Sequence, residues 1–272
     1  MNIENSSTSD TAEEVHAHMS RSSRRRAAIA AVSSVFAREL RAYFFTPLAY
    51  VFIAVFLLAL GAFTFEIGRF FDTNRADLAP FFFFHPWLYL VFLPAVTMRL
   101  WAEEIRSGTL ELLLTLPAPI WSLAIGKFLA AWSVAGIALL LTFPMWVTVN
   151  YLGSPDNTAI ILAYLMSFMM AGGYIALSSA MSALAGNQVV AFVMAVTIGF
   201  VFTAMGLPLV ASGLAELFGA GVAENARSFS FLTHFEAAQR GVLELRALLF
   251  YSGFIILWLV LNTLWIASRR AS

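Results

Sequence analysis

No cysteine occurs among the 272 residues, which excludes disulfides, thiolate metal sites and cysteine nucleophiles. Charge is scarce too. Asp, Glu, Lys and Arg make up 12% of the chain, against roughly 25% in soluble domains. The net charge is zero, so no basic surface argues for nucleic acid. No G-x-x-x-x-G-K-[ST] loop exists to cradle phosphates, and the single Gly-Lys pair, Gly126-Lys127, runs into Phe128. No G-x-S-x-G elbow or H-E-x-x-H motif occurs either. No catalytic residue, metal ligand set or cofactor is therefore assigned to this chain.

What the sequence does hold is apolar surface: 60% hydrophobic residues and a mean hydropathy of +0.81, the composition of a polytopic membrane protein. Crossing a bilayer takes about 20 apolar residues in a helix. Runs of that kind fall at about 47–66, 81–98, 120–149, 158–184, 189–215 and 247–268. The fold class read from them is an all-α membrane protein with six transmembrane helices. Pro94, Pro144 and Pro208 lie inside or near the ends of runs, where neighbours can re-satisfy the freed backbone groups.

Lys and Arg mark the cytoplasmic side. With both termini inside, eleven of the sixteen fall inside: Arg21, Arg24, Arg25, Arg26, Arg38, Arg41, Arg99, Arg106, Lys127, Arg269 and Arg270. Five fall outside: Arg69, Arg75, Arg227, Arg240 and Arg246. Tyr50, Trp87, Trp101, Trp121, Trp146 and Trp265 stand near run ends, as interfacial belts or as packing. In the fourth run Ala176 and Ala180, and Ser178, Ser182 and Gly186, recur every four residues. They make a small face that lets helices approach closely, within one subunit or between two.

The first 26 residues are polar and free of aromatics, the composition of a disordered tail, here drawn to residue 32. Its His16-x-His18 pair has no further ligands beside it. RRRAAIAAVSSVFA has the basic start of a signal peptide but is only weakly apolar and runs into Arg38, Glu39 and Arg41. From Ser33 to about residue 46 the pattern is an amphipathic interface helix, with Arg38, Glu39 and Arg41 set opposite Val35, Phe36 and Leu40.

The inner parts of the six runs contain no Asp, Glu or Arg. Lys127 lies about two turns into the third, near enough to the inner face to snorkel, and His85 lies at the outer end of the second. An ion-coupled carrier usually keeps ionisable groups inside its spans, so any active transport draws its energy from another chain. Between the second and third runs stands RLWAEEIRSGTLELLLTLPAP, residues 99–119. Arg99 to Arg106 continues the second run as a charged helix. Ser107-Gly108-Thr109 is a break, with Thr109 as N-cap and Glu111 in the next helix's first turn. Pro117 and Pro119 end the leucine run.

The run EEIRSGTLELLLTLPAPIWSLAIGKFLAAW resembles the cytoplasmic loop and third span of the type-2 ABC exporter permeases. More narrowly, it resembles the subgroup containing the gliding-motility-associated and nitrous-oxide-reductase-maturation permeases. The matching residues are Glu103-Glu104, Gly108-Thr109-Leu110-Glu111, Pro117 and Gly126-Lys127. VFARELRAYFFTPLAYVF, residues 35–52, is similar to that family's opening helix and first span. SFLTHFEAAQRGVLELRALLFY, residues 230–251, is similar to the gliding-type pattern before the last span, with His234-Phe235 and Arg240-Gly241.

The resemblance implies a permease subunit of an ATP-driven exporter in a bacterial inner membrane, with both termini cytoplasmic. It also implies a second permease subunit, the same or related, and a separate ATPase subunit that holds ATP and Mg. Glu103, Glu104, Arg106, Gly108, Thr109 and Glu111 would then form the ATPase-coupling element. His234, Phe235, Glu236, Arg240 and Gly241 would sit on short extracytoplasmic helices forming a gate. Glu216 and Glu236 would face substrate or solvent. The alternative function is a mechanical or scaffolding component, driven by the ATPase and acting on extracytoplasmic proteins without moving a solute.

Overall fold

In the computed structural model, described for residues 26–72, 75–115 and 118–269, every regular element is helical. Helix α1 covers 26–45, so regular structure begins seven residues before Ser33. Residues 1–25, with His16 and His18, and Pro117 lie outside the described residues. α2 (Leu48–Ala62) continues into a π-helical turn, Phe63–Ile67. α3 (Ala79–Phe83), α4 (His85–Thr97), α5 (Arg99–Ser107) and α6 (Thr109–Leu114) follow as short pieces. α7 (Ile120–Leu140) and α8 (Phe143–Leu152) lead to α9 (Asn157–Ala185) and α10 (Gln188–Ala204). Then come α11 (Pro208–Phe218), α12 (Ala220–Ser228), α13 (Phe231–Gln239) and α14 (Leu245–Arg269).

Among the described residues, four helical stretches are long and apolar enough to cross a membrane: Ala49–Ile67, Ile120–Leu152, Asn157–Ala185 and Leu245–Arg269. α10 and α11 make a fifth if their bent pair is counted as one. The run at 81–98 is not one long helix. Pro86 in the first turn of α4 withholds an N–H and crowds the preceding turn, and Phe84 becomes the break between α3 and α4. The run at 189–215 is also divided. Pro208 pushes Leu207 into an extended conformation, and α11 leaves α10 at 78°.

α9 is the central post. Two thirds of its apolar window (67%) is buried inside the chain, against 28% for α2 and for α14, so the latter two stand at the periphery. Asp156 caps its start by accepting from the Thr158 and Ala159 N–H groups, and Gly186 ends it at φ +63°. The small face foreseen along it is consumed within the chain. Ser178 Oγ lies 2.6 Å from Thr97 Oγ1 on α4, and Asn262 Nδ2 of α14 donates to Ser179 Oγ at 2.8 Å. Such hydroxyl bonds join apolar helices where no hydrophobic force between them is available. The outer faces of α2, α10 and α14 expose Tyr50, Leu58, Val193, Phe200, Ile256 and Leu264. Apolar surface this extensive suits lipid rather than water.

Candidate functional site

The site begins at a serine. α5 follows α4 after Met98, and Ser182 Oγ of α9 accepts from the Trp101 and Ala102 N–H groups, each at 3.0 Å. The same hydroxyl donates to the Met98 carbonyl at 2.6 Å. The root of α5 is thus tied to the central helix. At its far end Gly108 takes φ +72°, with no atom within reach of an added Cβ, so the residue is required by backbone conformation and not by space. Gly108, not Thr109, is the N-cap residue of α6. Thr109 is the first helical residue, and its hydroxyl pairs with Ser107 Oγ at 2.9 Å. Glu111 does sit in the first turn of α6. Glu103, Arg106, Glu111 and Leu112 face outward from this hairpin, while Leu110 and Leu113 are buried.

Glu104 behaves differently from Glu103. Its Oε1 accepts from Lys127 Nζ at 2.7 Å, and Lys127 also donates to Glu39 Oε1 at 3.1 Å and to the Leu100 carbonyl at 2.9 Å. All three ammonium protons are used. Arg38 closes the ring, 2.8 Å from Glu39 Oε1 and 3.8 Å from Glu104 Oε1, so two cations face two carboxylates. The Lys127 side chain is 2% exposed and lies 5.1 Å above the Trp101 ring. It does not snorkel to the surface; its charge is neutralised where it stands. Trp101 is likewise fully buried and so belongs to no lipid-facing belt.

Glu39 is not on the outer face of α1. Val35, Glu39 and Tyr43 recur every four residues and so share one face, and Val35 and Tyr43 are buried. Arg41 is exposed. The helix approaches α7 closely because Gly126 has no side chain. An added Cβ there would meet Val35 Cβ and Cγ1 at 2.8 Å and the Val32 carbonyl oxygen at 3.1 Å. In the Gly126-Lys127 pair the glycine admits α1 and the lysine grips it.

Burial pushes the Glu39 carboxyl up, but the Lys127 charge and the bonds from Arg38 and Lys127 outweigh it and hold the group below its ordinary value. Burial pushes the Glu104 carboxyl up and prevails over the same lysine; its Oε2 is buried without a partner. Beside the ring a cavity of about 400 Å³ is lined by Glu39, Tyr43, Arg99, Glu103, Glu104 and Lys127. The Arg99 guanidinium caps the Tyr43 ring at 5.4 Å.

The segment before α14 is a second, separate feature. α13 runs back along α9. Phe231, fully buried, fits against Gly173 and stacks on Tyr174 at 4.5 Å, while Gly241 (φ +77°) lies against Ala159. Those contacts on α9 are fourteen residues apart, or about 21 Å along its axis at 1.5 Å per residue. His234 Nε2 bonds the Ser228 carbonyl at 2.9 Å and the ring stacks on Phe250 at 4.3 Å. Phe235 is buried, whereas Glu236 and Arg240 form an exposed pair at 3.4 Å. The residues of 103–111 and those of 234–241 therefore form two clusters, the first by the C-terminal end of α9 and the second along its N-terminal half. The ring of Lys127, Glu39, Glu104 and Arg38 is a grouping that sequence reading missed.

A family description, the ABC-2 family transporter protein, matches residues 77–266, from just before α3 to the last turns of α14. The chain belongs to the ABC-2 transporter family. A search of curated proteins gives no match. As an ABC-2 transporter protein it is a multi-pass membrane permease, the membrane component of an ABC transporter. α1 and α2 precede the matched residues, so Glu39 and Arg38 reach the Lys127 ring from outside them.

Proposed function

We propose that this ABC-2 permease is energised by a separate cytoplasmic ATPase subunit and works beside a second permease subunit as an exporter. It would sit in a bacterial inner membrane with both termini cytoplasmic. α3–α5 and α10–α11 complete six crossings, counted with the four long stretches. The observation that carries the reading is the α5–α6 hairpin: its outer face offers Glu103, Arg106, Glu111 and Leu112, while its root is tied to α9 by Ser182 and to α7 by Lys127. A rigid, charged projection continuous with two crossings transfers a push at its tip to the helices behind it. ATP and Mg reside on the partner. Along the N-terminal half of α9, α13 and the exposed Glu236–Arg240 pair form the gate.

The test is purification of the tagged chain in mild detergent, with a non-hydrolysable nucleotide analogue, followed by identification of stoichiometric partners. A P-loop ATPase accompanies the native chain and is lost with Glu103→Lys, Arg106→Glu and Glu111→Lys, all on the outer face. Glu104 is avoided because its reversal disturbs the internal ring. Recovery of no ATPase, or equal recovery with all three variants, would falsify the assembly.

A further inference from the structure

We propose that Lys127 is a positioning residue: it latches α1 and α5 to α7 so that the three move as one body when the α5–α6 hairpin is pushed. The inference rests on the reading of that hairpin as the driven element and adds the device that carries the motion onward. Two covalent routes leave the hairpin: back through Met98 into α4, and on from α6 towards Ile120. The first reaches α1 only by way of α4, α3 and α2, and Glu39 on α1 is 88 residues from Lys127 in sequence.

The ring supplies a direct connection. Lys127 Nζ bonds Glu39 of α1 at 3.1 Å, and Glu104 Oε1 and the Leu100 carbonyl of α5 at 2.7 and 2.9 Å. Three donors on three acceptors fix a position as well as a charge, since an ammonium has no donor left for another arrangement. Gly126 seats Val35 one residue earlier, so the contact between α1 and α7 is steric and electrostatic at adjacent positions. Separating either acid from Lys127 would leave buried charge uncompensated, which makes joint motion the low-energy course. Arg38, half exposed, bonds Glu39 from the solvent side but stands farther from Glu104, at 3.8 Å. It assists the latch without completing it.

The absence of native cysteine permits paired spin labels in the full chain. One pair joins Ser33→Cys on α1 to Leu112→Cys on α6. A control pair, Val189→Cys on α10 with Leu264→Cys on α14, reports the body of the fold. All four positions are exposed. Pulsed dipolar spectroscopy in lipid nanodiscs is expected to give a narrow α1–α6 distance in the native chain. That peak is lost in Lys127→Met and kept in Lys127→Arg, which retains a cation within reach of both acids, while the control pair stays narrow throughout.

If Lys127→Met also disturbs the control pair, the triple variant Lys127→Met, Glu39→Gln, Glu104→Gln decides, because it strands no buried charge: the cation it leaves, Arg38, is half exposed. Loss of only its α1–α6 peak supports the latch. A narrow α1–α6 peak in either neutralised variant overturns it. No ATPase enters the measurement, so its failure is separate from failure of the assembly, which co-purification reads.

Discussion

Lys127 Nζ lies 2.7 Å from Glu104 Oε1, in a side-chain environment where the lysine is 2% exposed and the glutamate 18%. Removing one partner of a buried ion pair is more damaging than removing both, because the survivor keeps its desolvation cost. Lys127→Met is expected to lower stability by about 3–5 kcal/mol. The triple neutral variant with Glu39→Gln and Glu104→Gln should recover much of that loss. Thermal unfolding in detergent measures both, and equal destabilisation by the single and triple variants would count against the ring.

The two acids of the ring respond to pH in opposite directions. Glu39 is held below its ordinary 4.5, so its contribution is present above 4.5 and is lost as pH falls through its lower folded value. Glu104 is raised above 4.5, so its contribution is complete below 4.5 and is lost as pH rises through its higher folded value. Stability contributed by the pair is therefore greatest near 4.5 and declines on both sides. Unfolding midpoints across pH should show Glu104→Gln flattening the upper limb and Glu39→Gln the lower. An upper limb that survives Glu104→Gln would assign it to another group.

Ser182 Oγ serves as acceptor for two amides at the root of α5. Ser182→Ala strands the Trp101 and Ala102 N–H groups, at a cost of about 1–3 kcal/mol for a buried donor left unmade. The effect should be local. Amide exchange should quicken across 99–107 while the middle of α9 stays protected. Uniform loss of protection along α9 would instead make Ser182 a general packing residue.

The sites of these predictions differ in how far the sequence discloses them. α9 was legible from its unbroken apolar run, whereas the Asp156 cap and the Gly186 stop that set its ends were not read from the sequence. The runs at 81–98 and 189–215 were legible as apolar segments but not as broken ones; Pro86 and Pro208 carried that information. Gly108 was seen as a break, yet the N-cap was placed on Thr109, since side-chain preference was weighed and backbone hand was not. Glu39 was put on the polar face although its spacing of four from Val35 and Tyr43 places it on the buried one. The Lys127 ring required partners 88 and 23 residues away, and no local pattern specifies such distances.

Gly126 offers a steric check on the seating of α1. With Val35 Cβ and Cγ1 at 2.8 Å from an added Cβ, Gly126→Ala forces α1 away from α7, and overpacking of this kind costs about 1–3 kcal/mol. Shortening the opposing side chain with Val35→Ala should relieve part of it. The double variant is expected to be more stable than the sum of the single losses predicts, because the two residues share one contact. Strict additivity in thermal unfolding would show that Gly126 serves helix geometry instead of the approach of α1.

Phe231 anchors α13 against the middle of α9, where Gly173 leaves room for its ring and Tyr251 Oη donates to its carbonyl at 2.9 Å. Phe231→Ala removes a fully buried ring and should cost about 3–5 kcal/mol. The backbone bond from Tyr251 survives the substitution, so the helix is loosened and not deleted. A cysteine placed at Phe235, buried in the native fold, then becomes open to a water-soluble maleimide. Labelling at Phe235→Cys should be slow alone and fast with Phe231→Ala, while a cysteine at exposed Glu236 labels quickly in both. Equal rates at Phe235→Cys with and without Phe231 would mean that α13 is held by its other contacts, and that the aromatic anchor does not set its opening.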